Sequence, residues 1–335
     1  MKLLQSVSIF FGSTLACLLV FSGAFAGPSD LGTLKFGTSY PGAESMPVYV
    51  AQQNGYFRDE HLSVEATYLA TGDKLAFALL GGAIDVARYT PDWFIRAIAK
   101  GGSDLRIVLG SANALTFSLV VPNTLKDYAA LKDKRIGVST IAAADTSVVM
   151  KMLAAHGVKQ GEYNLIQAGS SPERAAALRA GSLGATLLTP PTDQRVIDDG
   201  GFKRLDISTN VIPHYAWGAE TVRADWARAN RLKLIGYMRA WIKACRFLHD
   251  PGNKEGVIKL LAKETKIDEH YARGMYDSYY GPGAISVEKD GKLDLAGYQV
   301  MINDMVDRGQ LDRPAPTPEN FVDATYWEAA EGALP

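Results

Sequence analysis

What most constrains the fold of this chain is an alternation of strand and helix patterns that starts near residue 31 and runs past residue 207. Residues 34–38 alternate as a short strand. Residues 47–54 read as a helix ended by Asn54-Gly55, a usual stop. Residues 62–68 alternate apolar and polar, a strand pattern. Thr71-Gly-Asp opens a helix over 74–80, closed by Gly81-Gly82. A strand at 84–87 leads to Thr90-Pro91, with threonine as N-cap and proline at the first helical position. That helix runs to Lys100 and stops at Gly101-Gly102. Further strands read at 105–109, 119–121, 135–139, 163–166, 184–188 and 202–207. Helices fall over 143–156, over 171–180 behind a Ser171-Pro-Glu cap, and from about Thr192. From about residue 224 the pattern is mostly helical, and no fixed-period repeat or low-complexity segment interrupts it. The fold class is therefore α/β, with parallel sheets covered on both faces. Ligands of such sheets sit outside the carboxyl ends of the strands, at helix N-termini.

The first 26 residues stand apart. Met1-Lys2 gives a short basic start, residues 3–21 are almost all apolar or small, and 22–26 end in Ala-x-Ala. This is the pattern of a secretory signal peptide, with cleavage expected after Ala26. Two other readings use the same flanks: an uncleaved membrane anchor, or a lipoprotein acylated at Cys17. The second fits poorly, because residues 18–21 stay apolar where a polar tether belongs. No later stretch has the roughly 18–20 consecutive apolar residues that span a bilayer. Beyond the signal the chain keeps one cysteine, Cys245, so it can form no internal disulfide, and the residue reads as a buried filler on a helix. The remaining 309 residues exceed the usual size of one hydrophobic core, so two domains are expected. A formal net charge of −1 gives no global basic field for nucleic acid or an anionic membrane.

Several runs are familiar in combination. Residues 47–65 read Pro-Val-Tyr-Val-Ala-Gln-Gln-Asn-Gly-Tyr-Phe-Arg-Asp-Glu-His-Leu-Ser-Val-Glu. Gly72-Asp-Lys follows, then Ala78-Leu-Leu-Gly-Gly-Ala-Ile-Asp-Val-Ala. Leu131-Lys-Asp-Lys-Arg-Ile-Gly-Val and Ala177-Leu-Arg-Ala-Gly-Ser-Leu-Gly-Ala come later. Together they resemble the binding proteins of ABC importers for nitrate, taurine, aliphatic sulfonates and thiamine precursors, over nearly the whole exported chain. The resemblance implies a two-lobed periplasmic-binding-protein fold of type II with two hinge crossovers and a cleft that closes on its ligand. One lobe is expected over 27–118 and 217–335, the other over 119–216, with Leu119-Val-Val and Trp217-Gly-Ala-Glu near the crossings. It also implies a periplasmic location, a small-molecule ligand and a membrane permease as partners. A monomer is expected, without nucleic acid, metal or cofactor.

Candidate binding residues come from the turns that leave the strands. Thr71-Gly72-Asp73, Thr90-Pro91-Asp92, Ser139-Thr140 and Thr189-Pro190 put hydroxyls and free N–H groups at helix starts, which suits a carboxylate, sulfonate or phosphate. Any one turn alone reads first as plain capping, and the set together, on this fold, points to the cleft. Aromatic rings fall near the same points: Tyr40 in Thr38-Ser39-Tyr40, Phe117, Tyr215 and Trp217. Rings offer rigid contact area, and ordinary core packing is the competing reading. Arg88 follows the strand at 84–87, where it would face the cleft. A buried arginine needs a partner, either an anionic ligand or an internal acid such as Asp85 or Asp92. Glu44 and Asp145 are candidates for a ligand amine, against a solvated-surface reading.

Enzyme readings find little support. His61, His156, His214, His249 and His270 have no metal-ligand spacing, and there is no nucleophile elbow or phosphate loop. A fungal enzyme of thiamine-pyrimidine synthesis shares the fold family, but its cysteine-rich run has no counterpart here. The expected ligand is a small organic anion, with a neutral pyrimidine-like heterocycle as the alternative and an exported sensor as a third reading. Arg88 separates the first two: facing the cleft unpaired it favours the anion, and satisfied by an internal acid it favours the heterocycle.

Overall fold

The computed structural model describes residues 30–334 apart from 40–41, 70, 102–103, 115, 142 and 285. Among the described residues ten strands lie in two five-stranded sheets. They are β1 (Gly32–Thr38), β2 (Leu62–Tyr68), β3 (Val86–Tyr89), β4 (Leu105–Ala112), β5 (Ser118–Pro122), β6 (Arg135–Val138), β7 (Asn164–Gln167), β8 (Ala185–Leu188), β9 (Phe202–Ile207) and β10 (Gly218–Arg223). The first sheet runs β2-β1-β3-β10-β4 and the second β7-β6-β8-β5-β9.

Each sheet has a parallel core and one antiparallel intruder. β1 pairs parallel with β2 and β3, while β10 lies antiparallel between β3 and β4. In the second sheet β6 pairs parallel with β7 and β8, and β5 lies antiparallel between β8 and β9. Because β10 returns to the first sheet after the second is complete, the chain passes between sheets twice, at residues 113–117 and 208–217. Strands covered on both faces should be apolar throughout rather than alternating. β8 fits, with all four residues buried, and so does β4, where only Arg106 is partly exposed.

The sequence pattern places most elements within a residue or two. The helix Met46–Gln53 ends at Asn54 as expected. The strand read at 84–87 is displaced to Val86–Tyr89, which carries Arg88 inside the strand rather than just past it. The helix Ser171–Arg179 is capped by Ser170, not Ser171: Ser170 and Glu173 form a capping box. The local pattern alone gives no strand at 218–223; β10 lies there, beside the crossing that the resemblance implies near Trp217-Gly-Ala-Glu.

Two apolar masses hold the halves. One packs the helix Arg231–His249 against the first sheet, with Trp241, Tyr237 and Phe36 fully buried. The other joins Leu119, Ile136 and Val148 of the second half to Ile107, Ala219, Tyr298 and Met301. That core is continuous across the joint, because the helix Leu295–Asp307 packs there. Each fully buried Leu, Ile, Phe or Met contributes about 1.5–3 kcal/mol relative to exposure. Among the described residues no helix is long and apolar enough to cross a membrane.

Candidate functional site

A cavity of about 780 Å³ lies where the central strands of both sheets end. On the first-sheet side it is lined by Ser39 after β1, by Arg88 and Tyr89 of β3, by Thr90, and by Asp92, Trp93 and Arg96 of the helix Pro91–Ala99. Across from them lie Ser139 and Thr140 after β6, Asp145 in the first turn of the helix Ala144–Ala155, Arg174, and Thr189 after β8. Thr116, Phe117 and Trp217 come from the two crossing segments, and Phe117 meets Trp217 edge-on with ring centres 5.3 Å apart.

Of the twelve residues singled out from sequence, Ser39, Arg88, Thr90, Asp92, Phe117, Thr140, Thr189 and Trp217 line this cavity, as do Glu44 and Asp145. Tyr40 lies outside the described residues. Thr71 and Gly72 do not line it. They follow β2, an edge strand, whereas the cavity forms at the ends of more central ones. Gly72 instead backs the wall, since a Cβ there would fall 2.5 Å from Tyr89 Cε1 and 2.8 Å from Trp93 Cδ1. Tyr215 is 1% exposed, packed in the core with its hydroxyl 3.5 Å from Asp304. Sequence reasoning missed Tyr89, Trp93, Arg96, Lys100, Arg174, Tyr279 and Gln310. The i, i+4 spacing of Asp92 and Arg96 was the one available signal.

Apart from Lys100, the charges of the wall are paired with each other. Arg88 Nη2 donates to Glu44 Oε2 at 2.5 Å, both residues buried, and Arg88 Nε lies 3.4 Å from Ser111 Oγ. Its partner is therefore neither Asp85, which accepts from the Lys35 backbone N–H, nor Asp92, which pairs with Arg96 at 3.0 Å. Gly218 makes room for this pair, because a Cβ there would sit 2.8 Å from Arg88 Nη2. Arg96 also donates to Gln310 at 3.1 Å and lies 4.6 Å over the Trp93 ring. Asp145 accepts from the Ser139 N–H at 3.0 Å and its hydroxyl at 2.6 Å, with Arg174 Nη1 at 3.6 Å. Arg174 donates to the carbonyls of Leu187 and Gly169.

Burial raises the Asp92 carboxyl, and the neighbouring Arg96 partly offsets this. Burial likewise raises the Tyr89 phenol, with Asp92 adding to it, and lowers Arg174 against the pull of Asp145. Asp92 and Asp145 thus put negative charge in the first turn of each helix, where an anionic ligand would have to meet it. What remains for a ligand is a set of ring faces, hydroxyls and the exposed Lys100 at the end of its helix. Among the described residues no group of three His, Cys, Asp or Glu is arranged to hold a metal ion, and no histidine lines the cavity.

The NMT1-like family model matches residues 29–262, and the chain belongs to that family, in agreement with the resemblance read from sequence. Comparison with curated proteins gives no match. Among solved structures the chain is similar to the periplasmic aliphatic sulphonate-binding protein SsuA of Escherichia coli. Identity is 17%, with 88% of this chain and 99% of that one covered and a TM-score of 0.70. It is similar to the periplasmic nitrate-binding protein NrtA of Synechocystis at 16% identity, 90% and 89% coverage and a TM-score of 0.71. It is also similar to DSZB in complex with biphenyl-2-sulfinic acid, an enzyme, at 14% identity, 90% and 99% coverage and a TM-score of 0.67. The architecture is the two-lobed periplasmic-binding-protein fold.

Proposed function

We propose that this chain is the exported solute-binding component of an ABC importer, and that its ligand is a small uncharged molecule with a flat, ring-like body. The observation that carries the reading is the cavity between the two sheets whose carboxylates each face an internal cation: Glu44 with Arg88, Asp92 with Arg96, Asp145 with Arg174. A site built for an anion leaves a donor set open to it. Here the accessible groups are Trp217, Trp93 and Tyr89, with hydroxyls of Thr90, Thr140 and Thr189 to read the ligand's polar edge.

The lobes of this reading are 27–118 with 217–335, and 119–216. Segments 113–117 and 208–217 act as the hinge, and closure brings the two walls together on the ligand. Export follows cleavage after Ala26, and a membrane permease receives the loaded protein. An enzymatic role draws no support from the cavity. Cys245 is buried in its helix, and burial pushes its thiol well up, away from a reactive thiolate.

A second reading, a small organic anion, rests on Lys100. Arg88, Arg96, Lys100 and Arg174 line the cavity against Glu44, Asp92 and Asp145, so one cation exceeds the lining acids. A thermal-shift screen of residues 27–335 against neutral pyrimidines, aromatic and aliphatic carboxylates, sulfonates and nitrate separates the two. A ligand at one hundred times its dissociation constant stabilises by about 2.7 kcal/mol. A shift with a neutral heterocycle, lost in Trp217→Ala, supports the first reading, and a shift with anions alone moves the assignment to the second. No shift with any compound would sink the binding role.

A further inference from the structure

Behind the cavity wall lies a carboxylate that nothing described so far uses. Glu220 sits on β10, the antiparallel intruder of the first sheet, directly across from Arg88 on β3. Side chains directly opposite in an antiparallel pair share a face, with Cβ atoms about 4.5–5.5 Å apart. Glu220 is 1% exposed, and its Oε2 makes no hydrogen bond. The groups that face it are Arg88 from β3 and Tyr237, Trp241 and Cys245 from the helix Arg231–His249; its partner residue on β4 is the apolar Leu109. Glu44 approaches the same guanidinium from the cavity side. Two buried carboxylates therefore share the field of one buried arginine.

We propose that Glu220 is a positioning residue for charge selectivity: with Glu44 it outnumbers the Arg88 guanidinium beside the cavity and so turns anions away. The proposal rests on the cavity being the solute site. Counting Glu220, four carboxylates meet the four cations, and the excess cation on the lining disappears. A charge buried at this depth is weakly screened, so it acts on a ligand it never touches. Burial holds the Glu220 carboxyl up at about 7, with Tyr237, Arg88 and Trp241 pulling the other way. The barrier to anions is thus present at pH 8 and largely removed at pH 6. A neutral ligand is insensitive to it.

The test needs no identified ligand. Trp93 and Trp217 line the cavity, and replacing Trp226 and Trp327 by phenylalanine leaves them with the fully buried Trp241 as the fluorophores. Iodide serves as the anionic quencher and acrylamide as the neutral one. The expected result is that the ratio of iodide to acrylamide quenching falls about twofold from pH 6 to pH 8, and that Glu220→Gln abolishes the fall. Glu220→Met replaces it should the glutamine variant not fold. A flat wild-type profile, or a fall that persists in the variant, overturns the proposal. Failure of the solute reading shows elsewhere, as a thermal-shift panel without a response, and leaves this ratio readable.

Discussion

On the first-sheet wall of the cleft, charges are tied side chain to side chain: Arg88 to Glu44 and Arg96 to Asp92. On the second-sheet wall, Arg174 directs its guanidinium at the carbonyls of Leu187 and Gly169 and meets Asp145 only at 3.6 Å. Both arginines are buried to a similar degree, at 4% and 3% exposure, so the contrast lies in their partners. A guanidinium on a carbonyl holds backbone in place, and when Arg174 is removed Asp145 still accepts from the Ser139 N–H and hydroxyl. A guanidinium on a buried carboxylate compensates its charge, and removing the guanidinium leaves that charge unpaired. The first wall is therefore the electrostatically fragile one and the second a mechanical brace.

The strongest way to break this comparison is Arg88→Ala. It strands Glu44 in a buried position, and an unpartnered buried charge costs about 3–5 kcal/mol, read as a lower urea midpoint. Replacing both partners together, Arg88→Met with Glu44→Leu, should recover most of the loss. If the double variant is as unstable as the single one, the pair is not what the first wall depends on.

Proton linkage gives the next largest effect. The folded-state pKa of Glu220, about 7, lies above the ordinary 4.5. Its contribution to stability is then fully present below about 4.5 and is lost as pH rises through 7. Wild type should lose on the order of 3 kcal/mol relative to Glu220→Gln between pH 4.5 and 8, measured by urea unfolding at both ends. Parallel pH profiles for the two proteins would show that the carboxyl does not hold its proton.

Arg174→Ala should cost less, about 2 kcal/mol, because it frees carbonyls and leaves Asp145 with its two hydrogen bonds from Ser139. A loss equal to that of Arg88→Ala would remove the distinction between the walls. The same urea series at pH 4.5 and 8 should find the Arg174 variant no more pH-dependent than wild type.

The sequence made the fold legible wherever the signal was local. β2 and β9 were read to the residue at 62–68 and 202–207, because short alternating runs bounded by turn residues are enough to define a strand. The capping turn at Thr90-Pro91 lies where the pattern placed it, and its neighbours do line the cavity. What local patterns cannot carry is pairing across the chain. Glu44 and Arg88 are 44 residues apart, and only the placement of β3 beside β1 brings them together. Thr71 has the same local signal as Thr90, yet its strand is at the sheet edge, and strand order is not written in any one turn. The local pattern gives no strand at β10, because Gly218-Ala-Glu-Thr-Val-Arg has little apolar alternation; only the family resemblance puts a crossing near Trp217-Gly-Ala-Glu.

The smallest effect tests how the two walls are joined away from the hinge. His270, on the helix Glu269–Tyr279 of the first half, places Nε2 3.1 Å from Asp198 Oδ2 on the helix Thr192–Asp198 of the second. Beside it the Arg195 guanidinium lies 4.9 Å over the Tyr271 ring. Hydrogen bonds from Gln194 and then His270 hold the Asp198 carboxyl below its usual range. A depressed carboxylate contributes above its unfolded pKa and loses that contribution as pH falls through the folded value, so the aspartate side of this tie is intact at neutral pH. These are exposed groups, screened by water and salt, and exposed ion pairs contribute little. His270→Ala should therefore speed release of whichever ligand the thermal-shift panel identifies by no more than about twofold in stopped-flow fluorescence, with the urea midpoint unchanged. A much larger acceleration would mean that this outer tie, and not the crossing segments 113–117 and 208–217, governs release.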